Sequence, residues 1–360
     1  MISAPRRIGK TSILFNLLEN SNENYHCIYV ITQSVYSENE YYKRLYKAIV
    51  DCDKLGTNTI KLTEKTKGFL KNVIGKIKNI NIDGVGGVEF NESSETNYKD
   101  KFIKLIKSLP LDGHKIILLN DEFTQAIENI IKKEGEHQAV SFLQYNREVR
   151  YDDYMKNNLL FIYTGSVGLE NIVSRLSSID LISDLNSIRI KPLKKEDATK
   201  FCNALLENAE FQINETLVEY MLEKIEWFIP FYIQLFIQEI DNIHIDEERI
   251  NITKSMIDKA FNQMLEHRNH FEHWQSRLKK TFKKENYKFA EEILNHIARK
   301  KTITSNEILN LAVKRNLEDS YKDDIRVLVH DGYINNQEDI ETYRFNSPIL
   351  RTWWYKNVTN

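Results

Sequence analysis

A short apolar segment runs into a glycine–lysine–threonine loop and then into a helix near the start of this chain. Residues 3–14 read SAPRRIGKTSIL, and apolar residues follow at helical spacing, at Ile13, Leu14, Leu17 and Leu18. A loop between a strand and a helix offers backbone N–H groups and a helix N-terminus, which together form a positive cradle for phosphate oxygens. The order strand, loop, helix therefore predicts an α/β fold with a phosphate-binding loop.

Each residue type in this loop has a predicted part in binding. The Lys10 ammonium is placed to reach the β- and γ-phosphates of a nucleotide, and the Thr11 hydroxyl to ligate Mg²⁺. Ala4 stands where the usual pattern has glycine, so the loop would be strained if φ is positive there. A chance occurrence of the pattern is the alternative. The predicted nucleotide-binding set in the loop is Pro5, Arg6, Arg7, Ile8, Gly9, Lys10, Thr11 and Ser12.

A second segment, HKIILLNDEF at 114–123, is a continuous apolar run that ends in two carboxylates. Such a run is typical of a buried parallel strand, and open α/β sheets place their chemistry at the carboxyl ends of their strands. We predict that Asp121 holds Mg²⁺ together with Thr11. Glu122 is predicted to orient or deprotonate an attacking water. The segment YHCIYVIT at 25–32 predicts a strand between the two motifs.

Two further strands are predicted. NLLFIYTGS at 158–166 ends in Thr164 and Ser166, short polar side chains that could sense a γ-phosphate or the attacking water, and Ser166 is a candidate catalytic residue. The segment SIRI at 187–190 is the other strand.

The strings APRRIGKTSIL, IILLNDEF, FIYTGS and IKPLKKEDA resemble the archaeal/bacterial ATPase family within the STAND group of AAA-type P-loop ATPases. The resemblance covers most of the chain and includes the double arginine before the GKT. It implies ATP with Mg²⁺, and an additional-strand P-loop core in which a parallel sheet is flanked by helices. It also implies an α-helical lid, a C-terminal winged helix, oligomeric assembly, and a signalling or stress-response role such as antiviral defence. Relatives usually carry a segment before the first strand that helps to hold the base, whereas this chain starts almost at that strand.

An arginine pair, Arg147 and Arg150, lies three residues apart, so that one face of a predicted helix presents both. The resemblance implies arginines in this region, and an arginine supplied by a neighbouring subunit can complete a site of this kind. Both residues are therefore candidate catalytic residues. The alternative is that they are solvated charges paired with Glu148 or Asp152.

The apolar segment IEWFIPFYIQLFIQEI at 225–240 predicts a buried lid helix, which Pro230 is able to start in its first turn. The resemblance aligns it with a GxP lid motif whose proline abuts the nucleotide. Phe228 stands in the glycine position, so only Pro230 carries over as a nucleotide-binding candidate.

We expect four parts along the chain. Residues 1–190 form the P-loop core with an insertion at 51–98, residues 191–265 the helical lid, 266–285 a linker helix and 286–360 a winged-helix domain.

The insertion is a candidate partner surface. Its lysine-rich stretch at 61–78 is amphipathic, and we interpret it as a solvated face over a hydrophobic stripe rather than a surface for membrane or nucleic acid. The glycine-rich segment 83–90 is interpreted as a turn in a small hairpin.

In the linker, His267, His270 and His273 could form a zinc set, but a plain linker helix is the favoured interpretation.

The C-terminal segment has the order helix, helix, helix, wing, and the third helix of such a module would read DNA. Carboxylates in and around that helix would oppose the phosphate contacts that dominate DNA affinity. We therefore favour a protein-contact or autoinhibitory role over DNA binding. The carboxylates, which outnumber Lys322 and Arg326, are Glu318, Asp319, Asp323, Asp324 and Asp331.

Composition narrows the class of protein. The net charge of −2 gives no global field that would indicate a nucleic-acid or membrane partner. Three separated cysteines suit a reducing cytoplasm, and no apolar run approaches the length of a membrane span or signal peptide. The sequence thus favours a cytoplasmic, ATP-hydrolysing molecular switch that acts through self-association or a protein partner. An ATP-dependent DNA-binding protein similar to origin-recognition initiators, and a degenerate ATPase scaffold, are the alternatives.

Overall fold

The structure is a computed structural model of the chain. It describes residues 1–4, 7–53, 57–78, 96–165, 168–282, 284–336 and 339–359. The chain divides into two compact units, Met1–Ile190 and Lys191–Asn360.

The first unit alternates strands and helices along the chain. Its elements in order are β1 (Ile2–Ser3), α1 (Lys10–Glu19), β2 (Tyr25–Ile31), α2 (Glu38–Val50), β3 (Ile60–Leu62), α3 (Glu64–Lys78), α4 (Tyr98–Ser108), β4 (Lys115–Asp121), α5 (Phe123–Glu134), α6 (Glu136–Tyr151), α7 (Asp153–Asn158), β5 (Leu159–Tyr163), α8 (Leu169–Arg175), a 3-10 helix (Ile179–Ile182) and β6 (Ile188–Arg189).

The strand order places the phosphate-loop strand away from the acidic strand. β2, β4 and β5 pair in parallel in that order, with β3 antiparallel on the outer side of β2. β1 pairs in parallel with β6, and a parallel bridge between Ile2 and Thr164 joins β1 to the end of β5. The order is therefore β3-β2-β4-β5-β1-β6, in which β5 is the additional strand between β1 and β4.

Helices cover both faces of this sheet because side chains alternate along its strands. On β2, Cys27 and Tyr29 pack with Leu14 and Leu18 of α1. The intervening residues Ile28 and Val30 join the larger core cluster, to which helices α2 to α6 contribute. A continuous apolar strand buried on both sides is what the sequence predicted for a parallel sheet.

The described part of the 51–98 insertion packs against the core. The apolar side chains of α3, Leu70, Val73 and Ile74, are buried in the main cluster. Lys71 and Lys76 point outward, where they pair with Asp53 and Asp112 at 3.3 Å. This is the arrangement of a solvated face over a buried stripe. The predicted hairpin at 83–90 lies outside the described residues.

The second unit is mainly helical. Its elements in order are α9 (Lys195–Leu206), α10 (Glu215–Ile225), α11 (Pro230–Glu247), α12 (Lys254–Glu266), α13 (Arg268–Thr281), α14 (Lys284–Lys300), β7 (Thr302–Thr304), α15 (Ser305–Lys314), α16 (Tyr321–His330), β8 (Ile334–Asn335), β9 (Thr342–Phe345), α17 (Pro348–Trp354) and a π-helical turn (Tyr355–Thr359).

Near the end of this unit, the helices α14, α15 and α16 and a three-stranded antiparallel sheet of order β7-β9-β8 precede α17 and the final turn. This is the order helix, helix, helix, wing that the sequence predicts. Thr304 caps α15 through a capping box, because its hydroxyl accepts from the Glu307 N–H while the Glu307 carboxylate accepts from the Thr304 N–H. Ser305, whose residue type also suits an N-cap, is instead the first helical residue. Within the described residues, no helix is both long and apolar enough to span a membrane.

Candidate functional site

The described end of the loop between β1 and α1 turns into the helix at a glycine. Gly9 has φ 100°, a left-handed conformation that suits glycine, and it directly precedes α1. Lys10 is only 7% exposed, and its ammonium donates to the Ala4 carbonyl at 3.2 Å. The lysine therefore lies back towards the start of its own loop.

Backbone strain in the loop falls on Arg7 and not on Ala4. Arg7 has φ 65°, whereas Ala4 is not among the described residues with positive φ. A non-glycine residue in the left-handed region costs about 1 kcal/mol, and such strain clusters at functional sites. The sequence pattern drew attention to Ala4 because it lacks a glycine there, but the left-handed turn comes three residues later.

Asp121 is the centre of the site. It is 4% exposed and lies at the carboxyl end of β4. Its Oδ2 accepts hydrogen bonds from the Thr11 and Tyr29 hydroxyls, each at 2.9 Å. Its Oδ1 accepts from the Thr164 hydroxyl and from the Glu122 N–H at 3.1 Å. Four donors, one each from α1 and β2 and two from the residues that directly follow β4 and β5, thus hold one carboxylate in a single orientation.

The parallel register brings these groups to one edge of the sheet. Ile31 lies opposite Asp121, and the next residue, Thr32, donates both its N–H and its hydroxyl to the Asp121 carbonyl at 2.8 and 2.9 Å. On the other side, the Thr164 N–H donates to the Asn120 carbonyl at 2.9 Å. Thr164 also bridges to Ile2 of β1. The ends of β2, β4, β5 and β1 therefore meet at Asp121.

Glu122 follows Asp121 in an unusual backbone conformation. Its φ of 57° and ψ of 35° are left-handed, and it directly precedes the first residue of α5. A non-glycine residue stays in this region only where its surroundings impose it. Here the Glu122 N–H donates to Asp121 Oδ1, and the next N–H, of Phe123, donates to the Thr164 carbonyl at 2.8 Å. These bonds turn the chain sharply from strand to helix at the predicted catalytic carboxylate.

Gly165 follows Thr164 at the end of β5, and its missing side chain is required. A Cβ at this position would lie 2.0 Å from the hydroxyl oxygen of Thr124, a buried residue in the first turn of α5. This close approach brings the start of α5 against the end of β5. Ser166 itself lies outside the described residues, as do Pro5 and Arg6.

The donor set at Asp121 fits Mg²⁺. A threonine hydroxyl and a carboxylate oxygen 2.9 Å apart are hard oxygen ligands of the kind that Mg²⁺ prefers. Thr11 is exposed at the start of α1, so its hydroxyl is accessible to an ion as well as to Asp121. Of the other loop candidates, Ile8 is buried and Ser12 is exposed.

The structure assigns Arg150 to the core. Its Nε and Nη2 donate to the two carboxylate oxygens of Asp184 at 2.6 and 2.8 Å, and its side chain is 8% exposed. Burial lowers the pKa of Arg150, but the bonds and charge of Asp184 outweigh it and raise that pKa above its ordinary value. Neither sequence interpretation foresaw this buried pair, which keeps Arg150 away from a neighbouring subunit.

Arg147 has a different environment. It is partly exposed, its Nη1 lies 3.5 Å from Asp180, and its guanidinium lies 5.2 Å from the centre of the Tyr151 ring. A single long ion pair with an exposed aspartate does not fix it as Asp184 fixes Arg150.

Pro230 belongs to the second unit, where it is the first residue of α11. This is the N-terminal position at which proline is favoured, as predicted for the start of the helix.

The histidines of the linker do not form a metal set. His267 pairs with the buried Glu239 at 2.9 Å, and the described part of the chain holds no group of three or more metal-ligating side chains.

Sequence analysis did not find Tyr29. It lies in a strand that is apolar on both sides, so the pattern could not show which face meets the site. Burial and the neighbouring Asp121 raise its pKa well above the ordinary value, so it remains a hydrogen-bond donor at neutral pH. The sequence did single out Thr164, but as a phosphate sensor rather than as a donor to Asp121.

No family model and no curated protein matches the sequence. Among solved structures, a Walker-type ATPase of Pyrococcus abyssi matches with a TM-score of 0.65 at 18% identity, covering 98% of this chain and 90% of that one. The ORC2 protein of Aeropyrum pernix, solved in ADPNP–ADP complexes, matches with a TM-score of 0.58 at 11% identity, covering 99% of this chain and 85% of that one. These matches establish the fold class, an α/β fold with a parallel sheet flanked by helices.

Proposed function

We propose that this protein binds and hydrolyses ATP with Mg²⁺ and works as a molecular switch. The observation that carries the proposal is the hydrogen bond from Thr11 to Asp121, which joins the phosphate-type loop to the acidic strand end across 110 residues of sequence. A chance GKT string has no reason to meet the carboxyl end of a buried strand at an acidic residue. The structural likeness to a Walker-type ATPase supports the same proposal.

The residues have separate roles in this proposal. The loop backbone and Lys10 bind the phosphates, and Thr11 and Asp121 form the Mg²⁺ site, whose ion would neutralise charge on the phosphate oxygens. Glu122 orients or deprotonates the attacking water. Arg6 and Arg7 contact the phosphates, Ser166 contacts a phosphate or the water, and Pro230 is the nucleotide-binding candidate outside the loop.

We also propose that the active form is a homo-oligomer in which Arg147 completes the site of a neighbouring subunit. The exposure of Arg147 supports this role. Two exposed apolar side chains, Tyr151 and Ile179, lie on the elements that hold Arg147, and such residues are typical of contact surfaces. In this scheme residues 191–265 act as the lid, 266–285 as the linker and 286–360 as a winged helix that changes partner contacts. We propose that this switch serves in signalling or in antiviral defence.

The test of the proposed function is the variant Lys10→Ala. Calorimetry with ATP and Mg²⁺ should show micromolar to submillimolar binding by the parent chain and no measurable binding by the variant, because one ammonium faces several phosphate charges. Lys156→Ala removes an exposed lysine of α7 that pairs with Asp153, so it serves as the matched control and should bind like the parent. Equal ATP affinity in Lys10→Ala and in the parent would refute the phosphate-loop interpretation. Binding without phosphate release would indicate the degenerate scaffold.

One observation keeps DNA binding as a second candidate. Two of the carboxylates that argued against it do not face solvent, since Asp324 bonds to Asn286 at 2.8 Å and Asp331 to Arg277 at 2.7 Å, both in buried surroundings. The exposed side of α16 instead presents Lys322, Asp323 and Arg326, and the last two pair with each other at 2.6 Å.

DNA retention measured across salt concentrations, with and without ATP, tests this candidate. A DNA-binding winged helix should show affinity that falls steeply with salt. Retention should also weaken when both Lys322 and Arg326 are changed to Ala. Salt-independent or absent retention leaves the protein-contact role.

A further inference from the structure

Tyr29 is a buried tyrosine at the candidate metal site, and no motif assigns it a part there. Its side chain is 2% exposed, and its hydroxyl donates to Asp121 Oδ2, the same oxygen that accepts from Thr11. The Tyr29 ring packs 4.8 Å, between ring centres, from Phe15 of α1. The helix that carries Thr11 therefore also fixes the tyrosine that shares its acceptor.

The hydrogen bonds to Asp121 account for its whole accepting capacity. An ionised carboxylate offers about four lone-pair positions, two on each oxygen. Thr11 and Tyr29 occupy those of Oδ2, and the Thr164 hydroxyl and the Glu122 N–H occupy those of Oδ1. A cation could bind this carboxylate directly only by displacing one of the four donors.

Thr11, in contrast to Asp121, can still accept a cation. It donates its one hydroxyl proton to Asp121, and its oxygen keeps lone pairs that a cation can use. The bond to Asp121 also fixes the direction in which those lone pairs point. The geometry thus separates two roles that sequence analysis predicted jointly for Thr11 and Asp121.

We propose that Tyr29 is a positioning residue that keeps Asp121 as a hydrogen-bond acceptor and directs the divalent cation to the Thr11 hydroxyl. Asp121 then acts on the cation through Thr11 and through its charge. This inference rests on the proposed function, since it concerns the cation that accompanies the nucleotide. Tyr29→Phe is the direct probe, because it keeps the ring against Phe15 and leaves the other three donors in place. One lone pair of Oδ2 then becomes open to a cation.

The experiment is a Mn²⁺ titration followed by electron paramagnetic resonance, in the presence of a non-hydrolysable ATP analogue. Tyr29→Phe should bind Mn²⁺ at least about threefold more tightly than the parent chain, since one charge-assisted bond to the carboxylate is lost. Its affinity for the analogue in EDTA should equal that of the parent. Tyr220→Phe is the matched control, because it removes a tyrosine bond of the same kind, to Asp258 at 2.7 Å in the second unit, and should change neither value.

Unchanged or weaker Mn²⁺ affinity in folded Tyr29→Phe would overturn this inference while leaving the proposed function in place. A parent chain that binds no ATP analogue would overturn both, so the two failures are distinguishable. If Tyr29→Phe does not fold, Thr164→Val opens a position on Oδ1 instead. That variant should also bind Mn²⁺ more tightly, and the absence of that gain would count against the proposal in the same way.

Discussion

Arg150 and Asp184, 34 residues apart in sequence, form a bidentate ion pair inside the first unit, with both N···O distances below 3 Å. Burial raises the pKa of Asp184, but Arg150 outweighs this effect and holds the pKa of that carboxyl below its usual range. The Arg150 guanidinium also donates to the Leu181 carbonyl at 2.9 Å. One arginine therefore ties α6 to the segment that precedes β6.

We predict that Arg150→Ala destabilises the protein by about 3–5 kcal/mol, the range found when one partner of a buried pair is removed. The reason is that Asp184 would be left as a buried charge without its partner. Arg147→Ala is the control on the same helix, and its exposed pair with Asp180 should contribute no more than about 1 kcal/mol. Denaturant unfolding of both variants makes the measurement, and equal losses would contradict the assignment of Arg150 to the core.

Mixing experiments test the role proposed for Arg147. Specific ATPase activity of the parent should rise with protein concentration, because a residue supplied by a neighbour acts only when subunits meet. Arg147→Ala and Glu122→Gln proteins should each be nearly inactive, whereas their mixture should regain activity, since each chain supplies what the other lacks. An arginine of this kind contributes a factor on the order of 10³. Activity that is independent of concentration, with no rescue on mixing, would rule out the arrangement.

Glu122→Gln should bind ATP as the parent does and release phosphate on the order of 10²–10³ times more slowly, in the range of a lost general base. Asp121 should be undisturbed, because the bond it receives from residue 122 comes from the backbone N–H. Glu134→Gln, at the far end of α5, is the control and should retain full turnover. Phosphate release at the parent rate in Glu122→Gln would remove Glu122 from the catalytic role.

Ala4→Gly should change ATP affinity by less than about tenfold, or ~1.4 kcal/mol. Ala4 contributes its carbonyl oxygen to Lys10, and glycine keeps that group. The described positive φ values nearby are at Arg7 and Gly9, so glycine at position 4 relieves no strain of that kind. Calorimetric affinities of the two proteins decide the matter, and a hundredfold gain in the variant would show that the natural loop is a weakened site.

His26 makes stability depend on pH. Burial is the largest cause that lowers the pKa of His26 from 6.5 to about 4, and charge repulsion from His114 and Lys65 adds to it. Between these two pH values the unfolded chain binds a proton at His26 that the folded chain does not bind. The contribution of His26 to the unfolding free energy is therefore fully present above pH 6.5 and is lost as the pH falls towards 4. The loss from this group is about 3 kcal/mol.

His26→Phe keeps an aromatic ring against Phe69, on which His26 stacks with 3.6 Å between ring centres. Unfolding free energies measured from pH 7 to pH 4 should therefore vary less in this variant than in the parent. His137→Gln, which changes an exposed histidine of α6, should follow the parent curve. Parallel curves for His26→Phe and the parent would contradict the assignment.

The elements of the site were predictable where a local pattern determines them. An apolar run closed by Asp121 and Glu122 indicates a buried strand and its end, and the GKT string indicates a loop and the start of a helix. Parallel pairing then brings the two ends together. These are consequences of burial on two faces and of strand direction, which the sequence shows directly.

Other features depend on partners far away in sequence. The three-residue spacing of Arg147 and Arg150 puts both on one helix face, but only the fold shows that Asp184 meets one of them. Tyr29 is one of several large residues in a doubly buried strand, so its contact with Asp121 depends on which face α1 covers. The location of strain at Arg7 depends on backbone torsions that the missing glycine at position 4 does not reveal.

The strand order also bears on synthesis of the chain. β1 is made well before β5 and β6, yet its described sheet neighbours are the end of β5 at Thr164 and the strand β6 at Ile188–Arg189. A ribosome must therefore release nearly all of the first unit before β1 has a neighbouring strand on each side. Contacts between residues so far apart in sequence form slowly. The nascent chain thus carries the residues of its phosphate-type loop without their flanking strands until Ile188–Arg189 has been made, and under the proposed function nucleotide binding follows that step.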